Sequence, residues 1–277
     1  GEPLAHHGKL IGATCSQVPD ELIYALGATP VRLCNGAYHY DQIGADFMPA
    51  KSCSLVKATL GMLHAETRIP KTAKPDLIVN PTTCDQKKKA SAMIEDMGYQ
   101  VYDLEMPNTK ESEEARIYWQ RSVRLFAQKL RQVTGRKLTR KALKAAMAKT
   151  ARAQAAFRQL HAYRKTSPAI VLGKDVFLIT NAFFFDDIDR WTEAVEKLNA
   201  ELAQRQADGF VAAQRKAPRI LFTGSPPVFP NLKLPILIEE AGGVVVADET
   251  CSANRMLYDM TAVDEWLLHD MVDGLAD

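Results

Sequence analysis

Short apolar runs alternate with amphipathic stretches through the first part of the chain. Lys9–Thr14 has strand length, and Val18–Gly27 follows as a helix, with Pro and acids near its start and glycine at its stop. Pro30–Leu33 reads as a second strand, Asn35–Ala50 as a polar loop, and Ser54 to about His64 as a helix. Asp76–Val79 is another apolar strand, Asp85–Met97 an amphipathic helix stopping at Gly98, and Tyr99–Leu104 a fourth strand. Strands and helices in this alternation predict a parallel sheet built from βαβ units.

The pattern breaks at Met106–Lys110. Thr109 or Ser112 is placed to cap a long helix to about Val133, and Glu111, Glu113 and Glu114 suit its first turns. Gly135 interrupts, and Thr139 is placed to cap a second helix reaching roughly Arg164; the two read as an antiparallel insert. A further helix is predicted from Asp187 to about Ala207. The α/β pattern resumes with the strand Pro218–Thr223, a turn over Gly224–Pro230, a helix ending at Gly242–Gly243, the strand Val244–Ala247 and a last helix from about Ala262.

The fold class expected is therefore α/β. A parallel-sheet, Rossmann-like (flavodoxin-like) domain over residues 1–108 is followed by a helical insert or linker over 109–217 and the start of a second α/β domain over 218–277. Two strands alone do not make a stable α/β layer, so the second domain reads as incomplete.

A chain of 277 residues with 47% hydrophobic and 25% charged residues fits an ordinary globular protein of one large or two modest domains. The net charge of +2 says little, but its distribution says more. Residues 115–174 contain no Asp or Glu, while Arg116, Arg121, Arg124, Arg131, Arg136, Lys141 and Arg152 recur. Such a face suits CoA phosphates, an acidic partner or nucleic acid, or is simply a solvated pair of basic helices. Aromatic residues for base stacking are sparse, so nucleic acid is not expected as a partner. No apolar run is long enough for a bilayer, and Gly1–Gly8 lacks the apolar core of a secretory signal. The expectation is a cytoplasmic protein away from the membrane.

Candidate chemistry lies in five cysteines. Cys15, Cys34, Cys84 and Cys251 each follow a predicted strand, and Cys53 opens a predicted helix. The carboxyl ends of parallel strands are where open α/β sheets gather ligands. Three readings stand side by side. A lone thiol is commonly a small core hydrophobe, which suits Cys34 but not Cys84, set in a polar turn entering a helix. A compact zinc site is disfavoured, since no Cys-x-x-Cys exists and His6, His7, His39, His64, His161 and His269 show no ligand spacing. An iron–sulfur cluster is the third, because its thiolates can come from separate loops that converge. A nucleophilic cysteine lacks an identifiable histidine partner.

Several motifs add an identity. GATCSQVPDELIYALGATPVRLC over Gly12–Cys34 resembles the opening of the 2-hydroxyacyl-CoA dehydratase and benzoyl-CoA reductase superfamily. CSLVKA from Cys53, TTCDQKKK from Thr82, LEMPN from Leu104, ILFTGS from Ile220 and GGVVVADETC ending at Cys251 extend the resemblance over nearly the whole chain. It implies an oxygen-sensitive iron–sulfur protein that takes one low-potential electron from a separate ATP-hydrolysing iron–sulfur activator. Dehydratase members remove water from a 2-hydroxyacyl-CoA through a ketyl radical, reductase members reduce an aromatic thioester ring, and a third branch carries a double-cubane cluster.

Carried onto this sequence, the resemblance implies Cys53 and Cys84 as ligands across the superfamily, and Cys15 and Cys34 as ligands of the double-cubane branch. Cys251 is implied either as a further ligand or as a residue lining the site. Thr83, Asn108 and Ser225 are implied as groups beside the cluster or substrate. The expected cofactor is a 4Fe–4S or double-cubane 8Fe–9S cluster. The expected partners are the activator, a related subunit in a homo- or heterodimer, and an acyl-CoA substrate. Family members continue past the equivalent of Gly274–Asp277 with at least one more cysteine ligand, so the cysteine set is expected to be incomplete. A non-catalytic subunit of a hetero-oligomer is the contrasting expectation.

Overall fold

The computed structural model describes residues 8–65, 74–250 and 267–276. They divide into two compact units, one within Gly1–Ala148 and Thr261–Asp277, the other within Lys149–Met260. The fold is α/β, as the alternation predicts.

The first unit is built on four parallel strands, β1 (Leu10–Ala13), β2 (Thr29–Arg32), β3 (Leu77–Pro81) and β4 (Val101–Leu104), in the order β2-β1-β3-β4. Ala13 lies level with Arg32 on one side and with Val79 on the other. The order reverses between β1 and β3, which makes the crevice at their carboxyl ends the topological switch point. Helices cover both faces, so the middle strands read as unbroken apolar runs rather than alternating ones. Leu77 and Val79 pack with Leu22 of α1 (Asp20–Ala25), Phe126 of α5 (Glu113–Thr134), Leu143 of α6 (Arg140–Arg164) and Met271 of α10 (Leu268–Gly274). Ile78 faces the other way, onto Leu60 of α3 (Ser54–Ala65) and Ile94 of α4 (Asp85–Asp96).

The segment expected to be a polar loop over Asn35–Ala50 contains α2 (Tyr38–Gly44). Its sequence carries no apolar stripe and no side-chain cap; the helix exists because it lies against α3 at main-chain distance. A Cβ on Gly44 would stand 1.9 Å from the Lys57 carbonyl oxygen, and one on Gly61 would stand 2.0 Å from that of Tyr40. The Lys57–Asp41 ion pair at 3.2 Å closes the same crossing. Of the two candidate caps for α5, Ser112 is the one used: its Oγ accepts from the Ala115 N–H at 3.2 Å. Thr139 Oγ1 accepts from Ala142 N–H, also at 3.2 Å, and opens α6.

In the second unit α8 (Ile188–Ala207) starts at Asp187, whose carboxylate accepts from the N–H groups of Asp189 and Arg190. A helix missing from the sequence reading, α7 (Gly173–Phe183), precedes it. Its start has no local cap, because the cap comes from elsewhere in the chain. Glu239, in α9 (Lys233–Glu240), accepts from Gly173 N–H at 2.7 Å and Lys174 N–H at 3.1 Å. Strands β5 (Arg219–Thr223) and β6 (Val244–Glu249) pair in parallel, and Phe177, Phe222, Leu232 and Val245 form the core beneath them.

The acid-free segment finds its acids at a distance. Lys149 pairs with Asp189 at 2.7 Å, Arg152 with Glu196 at 2.6 Å, and Arg124 with Asp273. Arg164 meets Asp248 at 2.5 Å with both side chains fully enclosed. No helix among the described residues is long and apolar enough to cross a membrane.

Candidate functional site

Three of the cysteines lie just past strand ends of the first unit and the fourth at a helix start. Cys15 follows β1 by two residues, Cys34 follows β2 by two, and Cys84 follows β3 by three. Cys15 and Cys84 therefore flank the switch point between β1 and β3. Cys53 and Cys84 have matching local geometry at helix starts: the Cys53 carbonyl accepts from Lys57 N–H at 3.0 Å, and the Cys84 carbonyl from Lys88 N–H at 3.1 Å. The Cys84 side chain makes no capping bond, which leaves its sulfur for other partners. None of these four cysteines forms a disulfide; Cys53 and Cys84 are exposed, Cys15 and Cys34 half-buried.

Hydrogen bonds stitch these segments together. The Cys34 thiol donates to the Thr14 carbonyl at 3.2 Å, beside Cys15 in the chain. The Cys15 thiol donates to Gln17 Oε1, also at 3.2 Å. Lys87, one turn past Cys84, donates from Nζ to the same Thr14 carbonyl at 2.6 Å. Gln86 Oε1 accepts from the Cys53 backbone N–H at 2.5 Å.

Beneath them runs a buried polar chain. Thr14 Oγ1 donates to Asn80 Oδ1 at 2.6 Å; Asn80 Nδ2 donates to Ser91 Oγ at 2.7 Å and to the Lys87 carbonyl at 2.8 Å; Ser91 Oγ donates to Asp103. Polar groups buried at strand ends in this way are tolerated because each is hydrogen-bonded.

Below Cys34, the buried Arg32 guanidinium forms a bidentate pair with Asp20 at 2.9 and 2.8 Å. Burial opposes its charge, but Asp20 beside it, helped by Cys34 and Tyr24, holds its pKa above the ordinary value. A buried, paired cation thus stands two residues before Cys34 in the chain.

Among the described residues no three His, Cys, Asp or Glu side chains are grouped as a single metal ion would require. The donor set has a different character: soft sulfurs on separate loops, spread along one sheet edge. Thiols are the donor type that iron–sulfur clusters take, and separate loops can supply them.

Thr83 is exposed in the turn before Cys84, and Asn108 is exposed past β4. The turn and the β4 exit are joined where Thr82 Oγ1 accepts from Met106 N–H at 3.1 Å. Ser225 is exposed past β5 and belongs to the second unit. Cys251 lies outside the described residues. Thr14, Asn80, Gln86 and Lys87 escaped the sequence reading; the available signal was a polar residue closing each apolar run, Thr14 after Leu-Ile-Gly-Ala and Asn80 after Leu-Ile-Val.

A model of the family described as 2-hydroxyglutaryl-CoA dehydratase, D-component, matches residues 15–277. The chain belongs to that family. It is 27% identical to YjiM of Escherichia coli strain K12, itself only provisionally described as a dehydratase subunit, over 97% of this chain and 68% of the relative. It is 25% identical to the beta subunit of (R)-2-hydroxyglutaryl-CoA dehydratase of Acidaminococcus fermentans, over 73% of this chain and 53% of that one. One of the benzoyl-CoA reductase subunits of Thauera aromatica is 23% identical over 90% of this chain and 63% of its own. The resemblance to the wider dehydratase and reductase superfamily therefore holds, while the chain spans between about half and two thirds of these relatives.

Proposed function

We propose that this chain is the cluster-bearing part of a dehydratase or reductase component of the superfamily. Cys15, Cys34, Cys53 and Cys84 would hold an iron–sulfur cluster, and Cys251 would either add a ligand or line the site. The observation that carries this reading is the stitching of four thiol segments along one edge of a parallel sheet, at its switch point, in a member of this family. When bound, the cluster supplies one-electron chemistry. The chain's own residues hold the thiols apart at fixed loops, satisfy the buried polar groups beneath them and place cations close by.

The electron would come from an ATP-dependent iron–sulfur activator and serve radical dehydration of a 2-hydroxyacyl-CoA or reduction of a thioester. Cys15 and Cys34 favour the double-cubane 8Fe–9S form over a single 4Fe–4S cubane. Thr83 and Asn108 would flank the cluster or substrate, and the family resemblance suggests the same role for Ser225. The domain division at residues 108 and 217 remains part of this reading, as does a cytoplasmic location.

Anaerobic purification of the full-length protein, with iron and acid-labile sulfide analysis, tests the reading. Stoichiometric iron and sulfide that fall in Cys53→Ser and Cys84→Ser variants are expected. A reconstituted wild-type protein without iron overturns it.

A second reading has support in the relatives, all three of which are described as subunits. In that case the chain is a non-catalytic member of a hetero-oligomer. Turnover by a homodimer with its activator alone would reject it.

A further inference from the structure

Resting on the proposed cluster site, we propose that Lys87 is a positioning residue, a charged tether that pre-organises the thiol edge before any cluster is bound. Lys88 and Lys89 beside it point into solvent, whereas Lys87 is half-buried and turned inward. Its Nζ donates to the Thr14 carbonyl at 2.6 Å and lies 3.4 Å from Thr14 Oγ1. Thr14 Oγ1 donates to Asn80 Oδ1, and Asn80 Nδ2 returns to the Lys87 carbonyl at 2.8 Å. The bonds therefore close a ring through β1, β3 and α4, the elements that carry Cys15 and Cys84.

Cys34 joins the ring from β2, because its thiol donates to the carbonyl that Lys87 holds, at 3.2 Å. When Cys34 serves as a thiolate ligand it no longer donates, and Lys87 keeps that carbonyl satisfied. The ammonium stays on the carbonyl that the Cys34 sulfur approaches at 3.2 Å. A charge-assisted hydrogen bond is stronger than a neutral one, so one side chain sets the relative height of three loops. Hydrogen bonds and net charge around the sulfurs also set cluster potentials, so the same ammonium makes reduction easier.

Three variants of the full-length protein separate tether from charge: Lys87→Met removes both, Lys87→Gln keeps a donor without charge, and Lys87→Arg keeps both. In the apo-protein, hydrogen exchange at residues 14–16 and 33–35 is expected to be about tenfold faster in Lys87→Met and near wild type in the other two. In the anaerobically reconstituted protein, with iron content checked, the midpoint potential is expected to fall in Lys87→Met and Lys87→Gln and to be retained in Lys87→Arg. Unchanged exchange in Lys87→Met overturns the tether. An unchanged potential in both charge-removing variants overturns the electrostatic role. A wild-type protein that takes up no iron defeats the functional reading instead, and exchange in the apo-protein then decides the tether alone.

Discussion

Gln86 and Cys53 are joined by a 2.5 Å hydrogen bond from the Cys53 backbone N–H to the Gln86 side-chain oxygen, across 33 positions of sequence. The first turn of α4 thereby holds the residue that opens α3. One helix start is anchored by the other, and each carries a cysteine.

Gln86→Ala removes that anchor. The bond is solvent-accessible, so the expected loss of global stability is small, about 0.5–1 kcal/mol. The local effect should be larger: exchange of the Cys53 amide speeds up while amides in β3 keep their protection. Equal protection of Cys53 in the variant and wild type would sink this account of the loop.

The α2–α3 crossing admits no side chain at Gly44 or Gly61. Gly61→Ala forces its new carbon against the Tyr40 carbonyl, and backbone cannot rotate away as a flexible side chain can. Overpacking of this type costs about 1–3 kcal/mol, and the helix pair must separate to relieve it. A lowered urea midpoint is expected, with a disturbed environment at Cys53. Gly98→Ala is an informative contrast: there φ is +82° and the space is open, so its cost is conformational and local to the end of α4.

Arg164 and Asp248 form a fully enclosed pair, and Arg164 also donates to the Val245 carbonyl at 2.9 Å. Asp248→Ala leaves the guanidinium buried without its counter-charge, at an expected cost of about 3–5 kcal/mol. The double variant Arg164→Met with Asp248→Leu should recover much of that loss, since it removes both charges. Thermal unfolding of the single and double variants checks the order; a double variant no better than the single one contradicts it.

His161 sits one turn before Arg164, buried against Phe157 with ring centroids 4.5 Å apart. Burial, with Arg164 next in weight, pushes its pKa down from 6.5 to about 4; Asp248 opposes the shift and Lys165 adds to it. The neutral ring is thus the folded form, and the unfolded chain binds the extra proton between those two values. Stability from this group is fully present above about pH 6.5 and falls as pH drops towards 4, by about 3 kcal/mol in all. His161→Gln should flatten this part of the stability profile. An unaltered acid slope in the variant would remove His161 as its source.

The legible parts of the fold were those written in local pattern. Strand β3 shows as an apolar run, α5 and α6 show through their capping Ser112 and Thr139, and the positions of Cys15, Cys34, Cys53 and Cys84 at element ends follow from those runs. Helices α2 and α7 were not legible, because their determinants are distant: two glycines against carbonyls in one case, Glu239 acting as a cap in the other. The polar ring of Thr14, Asn80 and Lys87 was hidden for the same reason, since its members lie up to 73 positions apart. The acid-free stretch looked like an open basic face, yet Lys149, Arg152 and Arg164 have carboxylates waiting in α8 and β6.

The level pairing of Ala13 with Arg32 has a consequence for tolerated change. Cys15 and Cys34 each stand two positions beyond that pair, so chain length, counted from the ladder, works as a ruler for the two sulfurs. Inserting a residue in the connection between α1 and β2 leaves the ruler intact. Inserting one between Ala13 and Cys15, or between Arg32 and Cys34, lengthens one arm only and carries its thiol out of step with the other. Deep insertion scanning should therefore find an intolerant window just past each of these two strand ends.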